Sequence, residues 1–117
     1  TPAQIARLVK EKFGLPFVTA YGLEGREEPV EYAAVSPGSG GSMIAPALKS
    51  VAPVLITGDI GHHEGIDAAA QGLAVIDAGH YGLEHIFTEF IAGYLNGRLE
   101  GQATAVAAPL DFPEMVF

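Results

Sequence analysis

The sequence predicts an α/β fold, a single αβα layered domain around a mixed, mostly parallel sheet. Two observations carry this. Apolar runs of strand length at 30–35, 53–57 and 73–77 alternate with segments of helical periodicity, the rhythm of crossover-connected strands. Each run is followed by a Gly-containing stretch, at 36–42, 58–61 and 78–79. Three such loops are expected to converge on one edge, where binding residues gather beyond the C-terminal ends of parallel strands.

The elements follow in order. Thr1 reads as an N-cap and Pro2 as a first helical residue, while Ile5, Leu8, Val9 and Phe13 recur at near-helical spacing before Gly14. A helix over 2–13 is expected. Residues 17–21 read as a short strand, and 22–29, charged and Gly-containing, as a loop. After the strand at 30–35 and the turn at 36–42, a helix from about Met43 to Val51 would pack through Ile44, Ala47 and Leu48. A short Ala-rich helix is expected over 62–71, stopped by Gly72. The helical pattern opening at His80 runs to about Leu99, with Asn96-Gly97 closing or fraying it. Residues 102–108 alternate enough for a last strand, and 109–117 form a tail.

Composition narrows the function. The 117 residues suit one domain over 1–117, able to bury roughly two thirds of its unfolded surface. Apolar residues are 49% and charged ones 17%, a globular balance. No apolar run approaches the roughly 20 residues of a membrane helix, and no signal peptide opens the chain, so a cytoplasmic location is expected. The missing initial Met suits a processed chain or a fragment. Without Cys there is neither a disulfide framework nor a thiolate metal site. A net charge of −8, with the basic residues scattered at Arg7, Lys10, Lys12, Arg26, Lys49 and Arg98, argues against a nucleic-acid binder.

The candidate chemistry centres on Asp77-Ala-Gly-His80-Tyr-Gly-Leu-Glu84-His85. His80 and Glu84 are four residues apart at a helix start, so both side chains lie on one face and can reach the same point. An imidazole and a carboxylate suit a transition-metal ion, although a complete site needs further ligands. The bland alternative is a helix N-terminus in which Glu84 complements the dipole and His80 caps or faces solvent. Asp77 is a candidate acceptor behind the ligand, orienting the His80 ring, or a helix cap. His62 and His63 are candidates for substrate contact or proton transfer. Adjacent helical residues point about 100° apart, however, so they are not expected to share one ion. Their bland reading is an exposed helix start with Asp59 capping and Glu64 in the first turn. Gly38, Ser39 and Gly40 belong to a Gly-rich turn that can present N–H groups to a phosphate, or simply join strand to helix. His85 and Glu89 repeat the four-residue spacing on another face and read as a solvated pair.

Two stretches, Ile56-Thr-Gly-Asp-Ile-Gly-His-His-Glu-Gly-Ile-Asp67 and Val75-Ile-Asp-Ala-Gly-His-Tyr-Gly-Leu-Glu-His85, resemble signatures of one family; Val35-Ser-Pro-Gly-Ser-Gly-Gly-Ser-Met-Ile44 does so more loosely. The family is the Nif-three-like dinuclear metal-centre proteins, often named type-two GTP cyclohydrolase I. The resemblance covers nearly the whole chain but corresponds to the C-terminal half of a family member. It implies half of a two-domain fold, assembled as a homo-hexamer, with two divalent metal ions (Zn, Fe or Mn) per complete site held by ligands from both halves. His80 and Glu84 are the ligands that this half would supply. The N-terminal half, which supplies a His-His pair and an Asp, is absent and becomes the expected partner. His62-His63 is not that pair and is assigned to the rim of the site. Gly61 departs from the pattern, since a larger polar residue is expected before the His pair.

The resemblance therefore implies a metal-dependent hydrolase of the GTP cyclohydrolase type, with a nucleotide substrate whose purine ring is opened by water. Phosphoester hydrolysis fits the same machinery. From another class comes a non-enzymatic, metal-binding, oligomeric interaction or regulatory protein, and a third reading is a metal-free nucleotide-binding module. The isolated chain is expected to be inactive and to bind metal weakly.

Overall fold

Val54–Gly58 and Ala74–Asp77 lie side by side at the centre of a four-stranded sheet. Their residues are mostly aliphatic, and Val54, Leu55, Ala74, Val75 and Ile76 are all buried, so these strands are covered on both faces, as parallel strands generally are. Residues 1–112 are described by the computed structural model. Numbering the strands along the chain gives β1 (Thr19–Tyr21), β2 (Ala34–Ser39), β3 (Val54–Gly58) and β4 (Ala74–Asp77) in the order β1-β4-β3-β2. β2, β3 and β4 are mutually parallel, and β1 runs antiparallel against β4. The predicted mixed, mostly parallel α/β sheet is the sheet observed.

The helices are α1 (Pro2–Lys12), α2 (Ile44–Leu48), α3 (His62–Ala70), α4 (His80–Glu84) and α5 (Ile86–Leu99). α1 starts where expected, because the Thr1 hydroxyl accepts the Gln4 N–H in a capping box. Leu55 and Val75 pack with Ala47 of α2, Ala68 of α3, Ile60 and Leu73 into one core cluster. A pin that the sequence did not suggest closes the opposite edge of the sheet: the Arg26 guanidinium donates to the Gly72 and Pro53 carbonyls at 3.1 and 3.3 Å.

The chain divides into two compact units, Thr1–Leu83, which holds the whole sheet, and a second that begins at Glu84. In the second unit, α5 runs through Asn96 and Gly97 and stops at Glu100 and Gly101, both left-handed (φ 47° and 81°).

β1 and α2 are shorter than expected, at Thr19–Tyr21 and Ile44–Leu48, and other elements depart further. The second strand lies at Ala34–Ser39 and not at 30–35. Pro37 lacks an N–H and Gly38 sits at φ 77°, features that an edge strand with an irregular register tolerates. The long helix expected from 80 is two helices. The Thr88 backbone N–H and hydroxyl both donate to the His85 carbonyl, at 3.1 and 2.8 Å, and this local turn interrupts the helical ladder. No strand forms at 102–108 among the described residues. The Asn96 side chain occupies the Ala105 backbone there, accepting its N–H at 2.7 Å and donating to its carbonyl at 2.9 Å. Of the expected tail, 113–117 lie outside the described residues. No described helix is long and apolar enough to cross a membrane.

Candidate functional site

Parallel pairing brings the C-terminal ends of β2, β3 and β4 to one edge. Thr57 sits level with Asp77 in the register, so the loops after β3 and β4 leave the sheet together. Gly58 lets them touch: a Cβ there would collide with the Gly79 carbonyl group and the His80 nitrogen. The Ala78 N–H donates to the Thr57 carbonyl at 2.8 Å, and Gly79, at φ 74°, turns the chain into α4.

Asp77 buckles the two loops. Its Oδ1 accepts the Asp59 and Gly79 N–H groups at 3.0 and 2.9 Å, and its Oδ2 accepts the Ile60 N–H at 2.8 Å. Asp77 was expected to orient the His80 ring, and the carboxylate found beside that ring is Asp59. Asp59 Oδ1 accepts the His80 backbone N–H at 3.1 Å, and Oδ2 lies 3.4 Å from His80 Nδ1. Asp59 itself is left-handed, φ 55°, a conformation that Asp tolerates better than most residues. Both side chains are about half exposed, at 49% and 54%.

Asp59, a cap for α3 only in the bland reading of that stretch, meets His80 instead, a contact absent from the sequence reading. The available signal was Gly58-Asp59: a Gly permits close backbone approach, and parallel register sets that position beside the loop after β4. The N-cap of α3 is Gly61, whose N–H donates to Glu64 Oε2 at 2.9 Å. Having no side chain, Gly61 leaves the capping to Glu64.

His62 and His63 open α3 on the same edge of the sheet, both exposed, with ring centroids 5.6 Å apart in an edge-on arrangement. His80 and Glu84 are the first and last residues of α4, both exposed. Their four-residue spacing is therefore helical. Gly38 and Ser39 belong to β2 and do not form a free turn. Gly40 donates its N–H to the Gly58 carbonyl at 2.9 Å, which ties β2 to β3 and commits that donor. It lies directly over Thr57, whose buried hydroxyl has no hydrogen-bond partner among the described residues. Among the described residues, no group of three or more His, Asp or Glu side chains is placed to hold a metal ion.

The mostly parallel α/β sheet carries histidines and carboxylates on the loops beyond its strand ends, the edge at which open α/β sheets place their crevice. The model of the Duf34/NIF3 (NGG1p interacting factor 3) family matches residues 1–110, and the chain belongs to that family. It is 38% identical over 95 residues to a GTP cyclohydrolase 1 type 2 homolog from Streptococcus pneumoniae, covering 80% of this chain and 36% of that protein. The crystal structure of Staphylococcus aureus protein SA1388 superimposes with a TM-score of 0.84 at 26% identity, over 100% of this chain and 34% of that one. A Bacillus cereus protein related to NIF3 gives the same TM-score at 27% identity, over 100% of this chain and 32% of that one. The chain thus spans about a third of the length of these relatives.

Proposed function

We propose that this chain supplies part of a divalent-metal site to a metal-dependent hydrolase. One observation carries the reading: His80 and Glu84 begin and end one short helix beyond the C-terminal ends of parallel strands, and a carboxylate faces the Nδ1 side of the His80 ring. Their chemistry fits the group, since imidazole and carboxylate are ordinary donors to Zn, Fe or Mn. Two donors are an incomplete set. The remainder is assigned to another segment of the full polypeptide, as expected of a chain that covers 36% of a relative. Bound divalent ions would supply Lewis acidity toward a substrate oxygen and a more acidic water.

The residues of this chain then divide the work. His80 and Glu84 hold metal, Asp59 and Asp77 set the loops that carry His80, and His62 or His63 contacts substrate or carries protons. The substrate class favoured is a purine nucleotide whose ring is opened by water, in keeping with relatives named GTP cyclohydrolase 1 type 2 homologs. Phosphoester hydrolysis suits the same donors. The full protein is proposed to work as a homo-oligomer, a hexamer, in the cytoplasm.

A second reading, a metal-binding interaction or regulatory protein without turnover, draws on the family's description as an interacting factor. Metal content and turnover of GTP and of model phosphoesters, compared among the intact protein, His80→Ala and Glu84→Ala, decide between the two. The hydrolase reading expects at least one substrate to be turned over, and both variants to lose metal and activity together. Loss of metal in both variants with no substrate ever turned over selects the interaction reading.

A further inference from the structure

We propose that Asp59 is a positioning residue for His80: it holds the imidazole as the Nδ1–H tautomer and so presents Nε2 as the metal-binding nitrogen. The proposal rests on the metal reading above and assigns a role to a residue outside the expected ligand set. Three features carry it. Asp59 uses both oxygens on the same neighbour, Oδ1 on the His80 backbone N–H at 3.1 Å and Oδ2 at 3.4 Å from Nδ1. The ring is thereby referenced to its own backbone, a stiffer arrangement than a single contact. Asp59 also adopts φ 55°, and its N–H is held by Asp77 Oδ1 at 3.0 Å, so the left-handed conformation that aims the carboxylate is braced from the next strand. Gly58 completes the frame, because only a residue without a Cβ lets this loop meet Gly79 and His80.

The chemistry follows from the acceptor-only character of a carboxylate. Facing Nδ1, it favours a proton on that nitrogen, and in a neutral imidazole the lone pair then resides on Nε2, the nitrogen turned away from Asp59. A separation of 3.4 Å is longer than a finished hydrogen bond, and such contacts commonly shorten when a site is loaded. A carboxylate behind a ligating histidine fixes both ring orientation and tautomer, and losing it typically costs about 10–100-fold in metal affinity.

Asp59→Asn tests this with little disturbance. Asn also tolerates the left-handed conformation, its oxygen can still accept the His80 N–H, and its NH2 then faces Nδ1 as a donor. The tautomer should invert. Long-range 1H–15N correlation spectra of the metal-free chain read the neutral His80 ring directly, and calorimetric titration of the intact protein with Zn2+ reads affinity. Expected are Nδ1–H in the wild type, Nε2–H in Asp59→Asn with the remaining amide spectrum retained, and a 10–100-fold weaker Zn2+ affinity in the variant. A wild-type ring protonated at Nε2 overturns the proposal, and so does an unchanged tautomer or an unchanged Zn2+ affinity in the variant. The wild-type spectrum alone decides if Asp59→Asn does not fold. A wild-type chain with the assigned tautomer and no Zn2+ uptake in the intact protein counts against the metal reading instead, leaving the Asp59–His80 pairing in place.

Discussion

Asp77 does more for the site than any single ligand candidate, since its two oxygens gather three backbone N–H groups from the loops after β3 and β4. Hydrogen bonds to a charged acceptor contribute about 1.5–3 kcal/mol each to stability, and an orphaned donor costs its desolvation as well. Asp77→Asn keeps the shape but has only one accepting oxygen, so at least one N–H would meet an NH2. A destabilisation of about 2 kcal/mol is expected, seen in urea as a lower midpoint with an unchanged slope. A midpoint equal to the wild type would show that the loops do not depend on this carboxylate. Asp59→Asn should be much milder, because Asp59 is half exposed and the amide can reproduce its backbone bond.

At the level of elements, glycines mark where the chain can and cannot accept a side chain. At Gly58 an added methyl meets backbone of Gly79 and His80, which has no rotamer through which to yield. Gly58→Ala should cost about 1–3 kcal/mol and displace the amide resonances of Gly79 and His80. Gly97, inside α5 with open space around it, should show the opposite sign. Gly97→Ala is expected to stabilise the helix by about 0.5–1 kcal/mol, measurable in the same melts. The strands and helices were legible because their signals are local: β3 and β4 are short apolar runs, and the Thr1 cap with Pro2 announces α1. What local pattern did not reveal depends on partners distant in sequence. Alternation at 102–108 suggested a strand, yet the side chain of Asn96 takes up the Ala105 backbone. The helix from 80 carried unbroken periodicity, and the break falls where the Thr88 N–H and hydroxyl both turn to the His85 carbonyl. The reach from Asp59 to His80 spans 21 residues and is set by parallel register, which no window of sequence displays.

For the whole molecule, the informative fact is proportion. The chain spans about a third of its relatives, and no described cluster of three donors is present. α5 buries none of its residues and leaves Phe87 and Phe90 58% and 68% exposed, whereas helices apolar on all sides are ordinarily enclosed. Under the proposed function, other segments of the full polypeptide or further copies cover such surface and complete the ligand set. The 117-residue chain should then bind Zn2+ weakly and the intact protein should retain metal through dialysis. The most direct measurement is an anomalous difference map, recorded at the absorption edge of the bound metal, from crystals of the intact protein. The expected result is a peak in bonding contact with His80 Nε2 and the Glu84 carboxylate, lost in His80→Ala. A metal-free site at full occupancy of both side chains, or a peak bound elsewhere, would contradict it.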